Sequence, residues 1–79
     1  MSKARLVADA DERVSKAVAE CNALAKKLLS EAAPYTKRVA EQVLAADTER
    51  MLGAATELYR ARQTLAKEVA DYQDLTRSL

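Results

Sequence analysis

The sequence predicts an all-α fold, specifically an antiparallel helical hairpin with a short first helix and a long second one. Three observations predict it. One Gly and one Pro in 79 residues leave almost no turn material. The 49% hydrophobic content leans on alanine, the best helix former, and the chain has no Phe, Trp or Ile. Apolar residues recur every seven positions, which is the period of a helix seam. A chain of this size is one domain, residues 1–79, and buries only about 60% of its unfolded surface. Its own core is therefore thin.

The first helix is expected over about residues 3–31. Val7, Val14, Cys21 and Leu28 form one row, with Ala10, Ala17 and Leu24 beside it. Spacings that alternate three and four make a narrow seam, which Val18 and Ala25 widen. On the opposite face, Asp9 with Arg13 and Glu12 with Lys16 are acid-before-base pairs at i,i+4. Ser2 supplies the N-cap.

The stretch "LLSEAAPYTKR", residues 28–38, holds the only proline. Inside a helix Pro34 would cost about 3 kcal/mol and drive Ala33 out of the α region, whereas the first turn of a new helix accepts it. Thr36 is a candidate N-cap and Tyr35 an apolar residue at the helix entry. The absence of a Gly after Leu29 argues for a kinked continuous helix instead. A connection at 30–35 has the length usual in bundles, and the reading taken is a reversal there.

The second helix is expected over about 36–78. Leu44, Met51, Leu58, Leu65, Tyr72 and Leu79 form its main row. Ala40, Ala54, Ala61 and Leu75 flank that row on one side, Ala55 and Val69 on the other. Gly53 costs about 1 kcal/mol inside a helix without ending it. A bend there, with Asp47 capping a third helix, is the alternative three-helix bundle.

Folding about residue 33 would place Leu28 beside Val39, Cys21 beside Leu44 and Val7 beside Leu58. The first helix, about 40 Å long, would then run out near position 63 of a second helix about 65 Å long. Leu65, Val69, Tyr72, Leu75 and Leu79 would project beyond it, each large side chain forgoing about 1.5–3 kcal/mol of burial. That overhang calls for a protein partner: a second copy giving a four-helix bundle, or a larger protein with which the chain co-folds. The expected interface comprises Leu44, Met51, Leu58, Leu65, Val69, Tyr72 and Leu75, with Leu52 and Tyr59 widening the apolar arc. Asp47 and Arg62 also fall on the apolar face. Arg62 either lays its stem over the seam with its head in water, or meets Asp47 of a second copy across a two-fold between Ala54 and Ala55.

The residue types exclude most chemistry. The chain has no His, which removes His-based acid–base catalysis and His-ligated metal sites, and it has no Gly-rich phosphate loop. Cys21 is a lone thiol on the seam, so it reads as a small buried residue, with no disulfide and no zinc cluster. Net charge is +1 with acids and bases interspersed, which lacks the basic stripe of a nucleic-acid binder. No cofactor, metal or small-molecule substrate is expected, and the chain reads as non-catalytic. The N-terminus carries no apolar signal-peptide core and no run spans a membrane, so a cytoplasmic location is the default. The function expected is a protein–protein interaction module of the adaptor, chaperone or inhibitor kind. Two other classes compete: an amphipathic coat for a lipid or polymer surface, against which the alanine-rich seam and neutral charge argue, and a nucleic-acid-binding dimer using Lys37, Arg38, Arg60 and Arg62.

Overall fold

In the computed structural model the described residues are 2–35 and 45–78. They form two helices, α1 (Lys3–Ala32) and α2 (Ala45–Arg77), which pack side by side as an antiparallel hairpin. A single 3₁₀ turn, Ala33–Tyr35, follows α1. The molecule is a rod of 58 × 16 × 14 Å with a radius of gyration of 17.8 Å, against about 12 Å for a compact chain of this length.

The start of α1 follows its sequence signal. Ser2 has extended backbone (φ −74°, ψ 151°), and its Oγ accepts from the Arg5 N–H at 3.2 Å, satisfying one of the unpaired first-turn donors. At the other end Pro34 stops the helix, though not by straightening Ala33. That residue stays helical (φ −52°, ψ −42°) and donates its N–H to the Leu29 carbonyl. The tighter turn then carries the fixed φ of Pro34, whose missing N–H is not needed there.

α2 runs unbroken through Gly53, which rules out the bend and the third helix of the alternative fold. The flanking residues Leu52, Ala54 and Ala55 all favour helix over turn, so one glycine is outvoted. The expected start of the second helix near 36, its Thr36 cap, and Leu44 and Leu79 of its main row lie outside the described residues.

The register differs from the expected one. Lys3 Nζ donates to the Ser78 carbonyl (3.1 Å), Arg13 Nε to Glu68 Oε2 (3.0 Å), and Arg50 lies 3.9 Å from Glu31. In all three contacts the residue numbers sum to 81, whereas a fold about residue 33 would make them sum to about 66. Lys27 and Glu57 (3.2 Å) agree with the larger value to within three positions. The pairing register of the described helices is therefore about 15 positions later than the one a fold about residue 33 would give. Pro34 ends one helix, but the matching of alanines and charges across the seam decides where the return helix lies. Within the described residues α1 has 30 residues and α2 has 33. Among the described residues no apolar end overhangs: Leu65, Val69, Tyr72 and Leu75 lie beside the first half of α1, each half-buried.

The core is a line of small side chains. The buried apolar residues are Ala10, Ala17 and Cys21 on α1 with Ala54 and Ala61 on α2. Alanines at the contact let the two backbones approach closely. Close approach leaves no room between the helices for the larger neighbours, so Val7, Val14, Leu24, Leu28, Met51, Leu58, Leu65 and Tyr72 stand at the edges, half-buried. Small side chains thus fill the centre of the seam and larger ones flank it.

Candidate interaction face

Seven-residue rows divide the rod into two unlike flanks. On one lie Arg13, Glu20 and Lys27 of α1 with Arg50, Glu57 and Thr64 of α2. This is where the helices exchange ion pairs: Lys27 with Glu57 (3.2 Å), Arg13 with Glu68 (3.0 Å) and Arg50 with Glu31 (3.9 Å). Arg13 thus reaches across to α2 rather than back to Asp9, while Glu12 and Lys16 pair along α1 at 3.4 Å as expected. A shallow groove on this flank is lined by Glu20, Leu24, Glu57, Arg60, Ala61 and Thr64.

At the closed end of the same flank a polar cluster ties the turn to α2. Asp47 is 7% exposed and pairs with Arg50, one turn further along α2. Arg50 Nη2 also donates to the Tyr35 hydroxyl at 2.9 Å. The Tyr35 hydrogen bond, with Asp47 and Glu31 adding to it, raises the Arg50 pKa above its ordinary value. Asp47 is thus buried and paired within the hairpin, while Arg62 is exposed on another row. Ala54, the centre of the expected two-fold, is buried under α1. The Asp47–Arg62 pairing between copies therefore has no exposed surface on which to form. Tyr35, expected as an apolar residue at a helix entry, instead fastens the end of α1 to α2 through its hydroxyl.

The opposite flank is different in kind. It comprises the row of Val18 and Ala25 with that of Ala55, Arg62 and Val69, then outward the rows of Ser15, Asn22 and Leu29 and of Leu52, Tyr59 and Ala66. From Ala4 to Ala32 and from Thr48 to Thr76, the only charges in these rows are Asp11 and Arg62. In a chain that is 32% charged, that is a segregated surface. Much of it is open to water: Leu29 is 70% exposed, Tyr59 63%, Leu52 61% and Val18 41%. The half-buried edges of Met51, Leu58, Leu65 and Tyr72 border it. Gln63 Nε2 donates to the Tyr59 hydroxyl at 3.0 Å, which fixes the ring beside Arg62 and Ala66 along a shallow depression.

Of the residues expected at an interface, Leu52, Tyr59 and Arg62 are exposed on this flank. Met51, Leu58, Leu65, Val69 and Tyr72 are half-buried along it. Leu75 belongs instead to the row of Ala54, Ala61 and Glu68, at the open end of the seam. Leu44 lies outside the described residues. The contribution of α1 was missed. Val18 and Ala25 read as seam-widening and Leu29 as a helix end, yet the same rows that place Leu52 and Tyr59 on α2 place these three beside them. Of the basic residues considered for nucleic acid, Arg60 and Arg62 fall on different flanks, and Lys37 and Arg38 lie outside the described residues.

Among the described residues no cluster of three or more His, Cys, Asp or Glu side chains has the arrangement of a metal site, and no helix is long and apolar enough to cross a membrane. No protein-family model matches the chain, and neither a curated protein nor a solved structure is similar to it.

Proposed function

We propose that this chain is a non-catalytic protein–protein interaction module that works by presenting the uncharged flank of its hairpin for docking. The observation that carries this reading is the segregation of the surface. Ion pairs and charged rows occupy one side, while Leu29, Leu52, Tyr59 and Val18 stand exposed together on the other. Scattered apolar residues are ordinary on a protein surface, but a contiguous apolar strip bordered by polar rows marks an interaction site. Energetics point the same way. A seam of four alanines and one cysteine buries little, at about 0.8 kcal/mol per methyl-sized group, so the hairpin gains much from whatever covers its larger residues. The partner supplies the second half of a core.

Sedimentation velocity across a dilution series tests the reading. The expected result is association at micromolar to millimolar concentration that the double substitution Leu52→Lys, Tyr59→Lys abolishes while helicity at matched concentration is retained. Association of equal strength in the parent and the double variant would contradict it.

A further inference from the structure

The geometry points to a second copy of this chain as the occupant of the uncharged flank, in a four-helix bundle whose two-fold axis runs parallel to the helices. This rests on the interaction reading above and makes it specific. α1 of each copy then packs antiparallel on α2 of the other, with both closed ends of the hairpins at the same end of the bundle.

Area is the first argument. The chain exposes 6022 Å². A compact monomer of 8.7 kDa exposes about 4,700 Å² by the scaling of surface with mass. The excess is about 1,300 Å² per chain, hence about 2,600 Å² for a pair, which is the size of an obligate homodimer interface. A short peptide would cover a fraction of it, whereas an equal rod covers the whole flank.

Register is the second. Residues of α1 and α2 at one height have numbers that sum to about 81, as the Arg13–Glu68 and Glu31–Arg50 contacts fix. Leu29 and Leu52 share a height, each two residues inward from the Glu31–Arg50 pair, and both point outward along the flank. A two-fold parallel to the helices preserves height, so Leu29 of one copy meets the partner's Leu52, twice over. Tyr59 likewise meets Asn22.

Charge selects between the two ways of stacking the rods. With the axis perpendicular to the helices and lying between the rods, each helix would pack antiparallel on its own copy. Arg62 is one residue from the midpoint of α2, so the two Arg62 side chains would face each other at the centre of the contact, and like charges directly opposed are unfavourable. With the axis parallel to the helices, Arg62 instead crosses Val18 between the uncharged Ser15 and Asn22, whose oxygens can accept its N–H groups. Asp11, the other charge, lies opposite Val69 nearer the open end.

The test is site-specific cross-linking in a Cys21→Ala background, with light scattering on the same samples. An equimolar mixture of Leu29→Cys and Leu52→Cys chains should form a mixed disulfide on mild oxidation, while either chain alone should not. Light scattering should give twice the 8.7 kDa chain mass before oxidation. A dimer that cross-links Leu52→Cys to Gln73→Cys and not to Leu29→Cys would overturn this arrangement while leaving the interaction reading intact. A monomer that yields no cross-link removes the second copy as occupant. A second pair of variants keeps the test independent of thiol chemistry: Val18→Lys meets the partner's Arg62 as a like charge and should raise the dissociation constant at least tenfold more than Val18→Glu does, whereas in the rejected stacking each would face its own copy and the two would weaken association alike. Equal dissociation constants for the two variants would count against the proposal.

Discussion

Ala61 is the position where the alanine seam can be tested most sharply. It is 6% exposed, sits at the height of Cys21 and Glu20, and is bordered by Leu24 across the seam. Ala61→Leu adds three carbons between two backbones that approach closely because the contact side chains are small. Leu and Ala have similar helix propensity, so the effect isolates packing. Overpacking of a close helix contact costs typically about 1–3 kcal/mol. At about 2 cal/mol/K per residue, the unfolding entropy of 79 residues is about 0.17 kcal/mol/K, so each kcal/mol moves Tm by about 6 °C. The expected loss is therefore about 6–18 °C by circular dichroism, measured at fixed chain concentration because association shifts apparent stability. Ala19→Leu, on an exposed row away from both flanks, is the control and should stay within about 0.5 kcal/mol of the parent. If Ala61→Leu behaves like Ala19→Leu, or stabilises, the helices are not held by close approach and the packing account is wrong.

Gly53→Ala should raise stability by about 0.5–1 kcal/mol, since Gly53 is exposed within α2 and an added Cβ meets nothing within 4 Å; a loss in thermal unfolding would mean that the helix needs its glycine. Lys27→Glu should cost about 0.5–1 kcal/mol in urea unfolding and adding Glu57→Lys should restore it, because these partly exposed groups pair only in the observed register; absence of rescue would shift the register. Asp11→Val should tighten self-association several-fold in sedimentation equilibrium, because it removes one of the two charges from the docking flank, and weaker association would place Asp11 outside the contact.

The helical class, the N-cap at Ser2, the end of α1 at Pro34 and the continuity of α2 through Gly53 were all legible in the sequence, because each depends on residues within one or two turns. The return point was not. Pro34 dictates where a helix must stop but carries no information on where the chain comes back, which is set by non-local matching of Ala10, Ala17, Ala54 and Ala61 and of Arg13 with Glu68. The same error moved the apparent docking surface. With the wrong register, Tyr72 and Leu75 looked like an uncovered tip, whereas in the structure they lie beside α1. The real excess is lateral. Small residues take the seam, large ones are pushed to one edge, and the charges gather on the other. That asymmetry was written in the rows of Leu52 and Tyr59, and equally in those of Val18 and Leu29, which become one surface only when both helices are laid side by side.

Light scattering of the parent chain beside the Leu52→Lys, Tyr59→Lys variant, from low micromolar to millimolar concentration, tests the docking face most directly. The account predicts a parent that reaches twice the chain mass and a variant that stays at the mass of one chain, both helical at the highest concentration. A parent that remains a folded single chain throughout would contradict it.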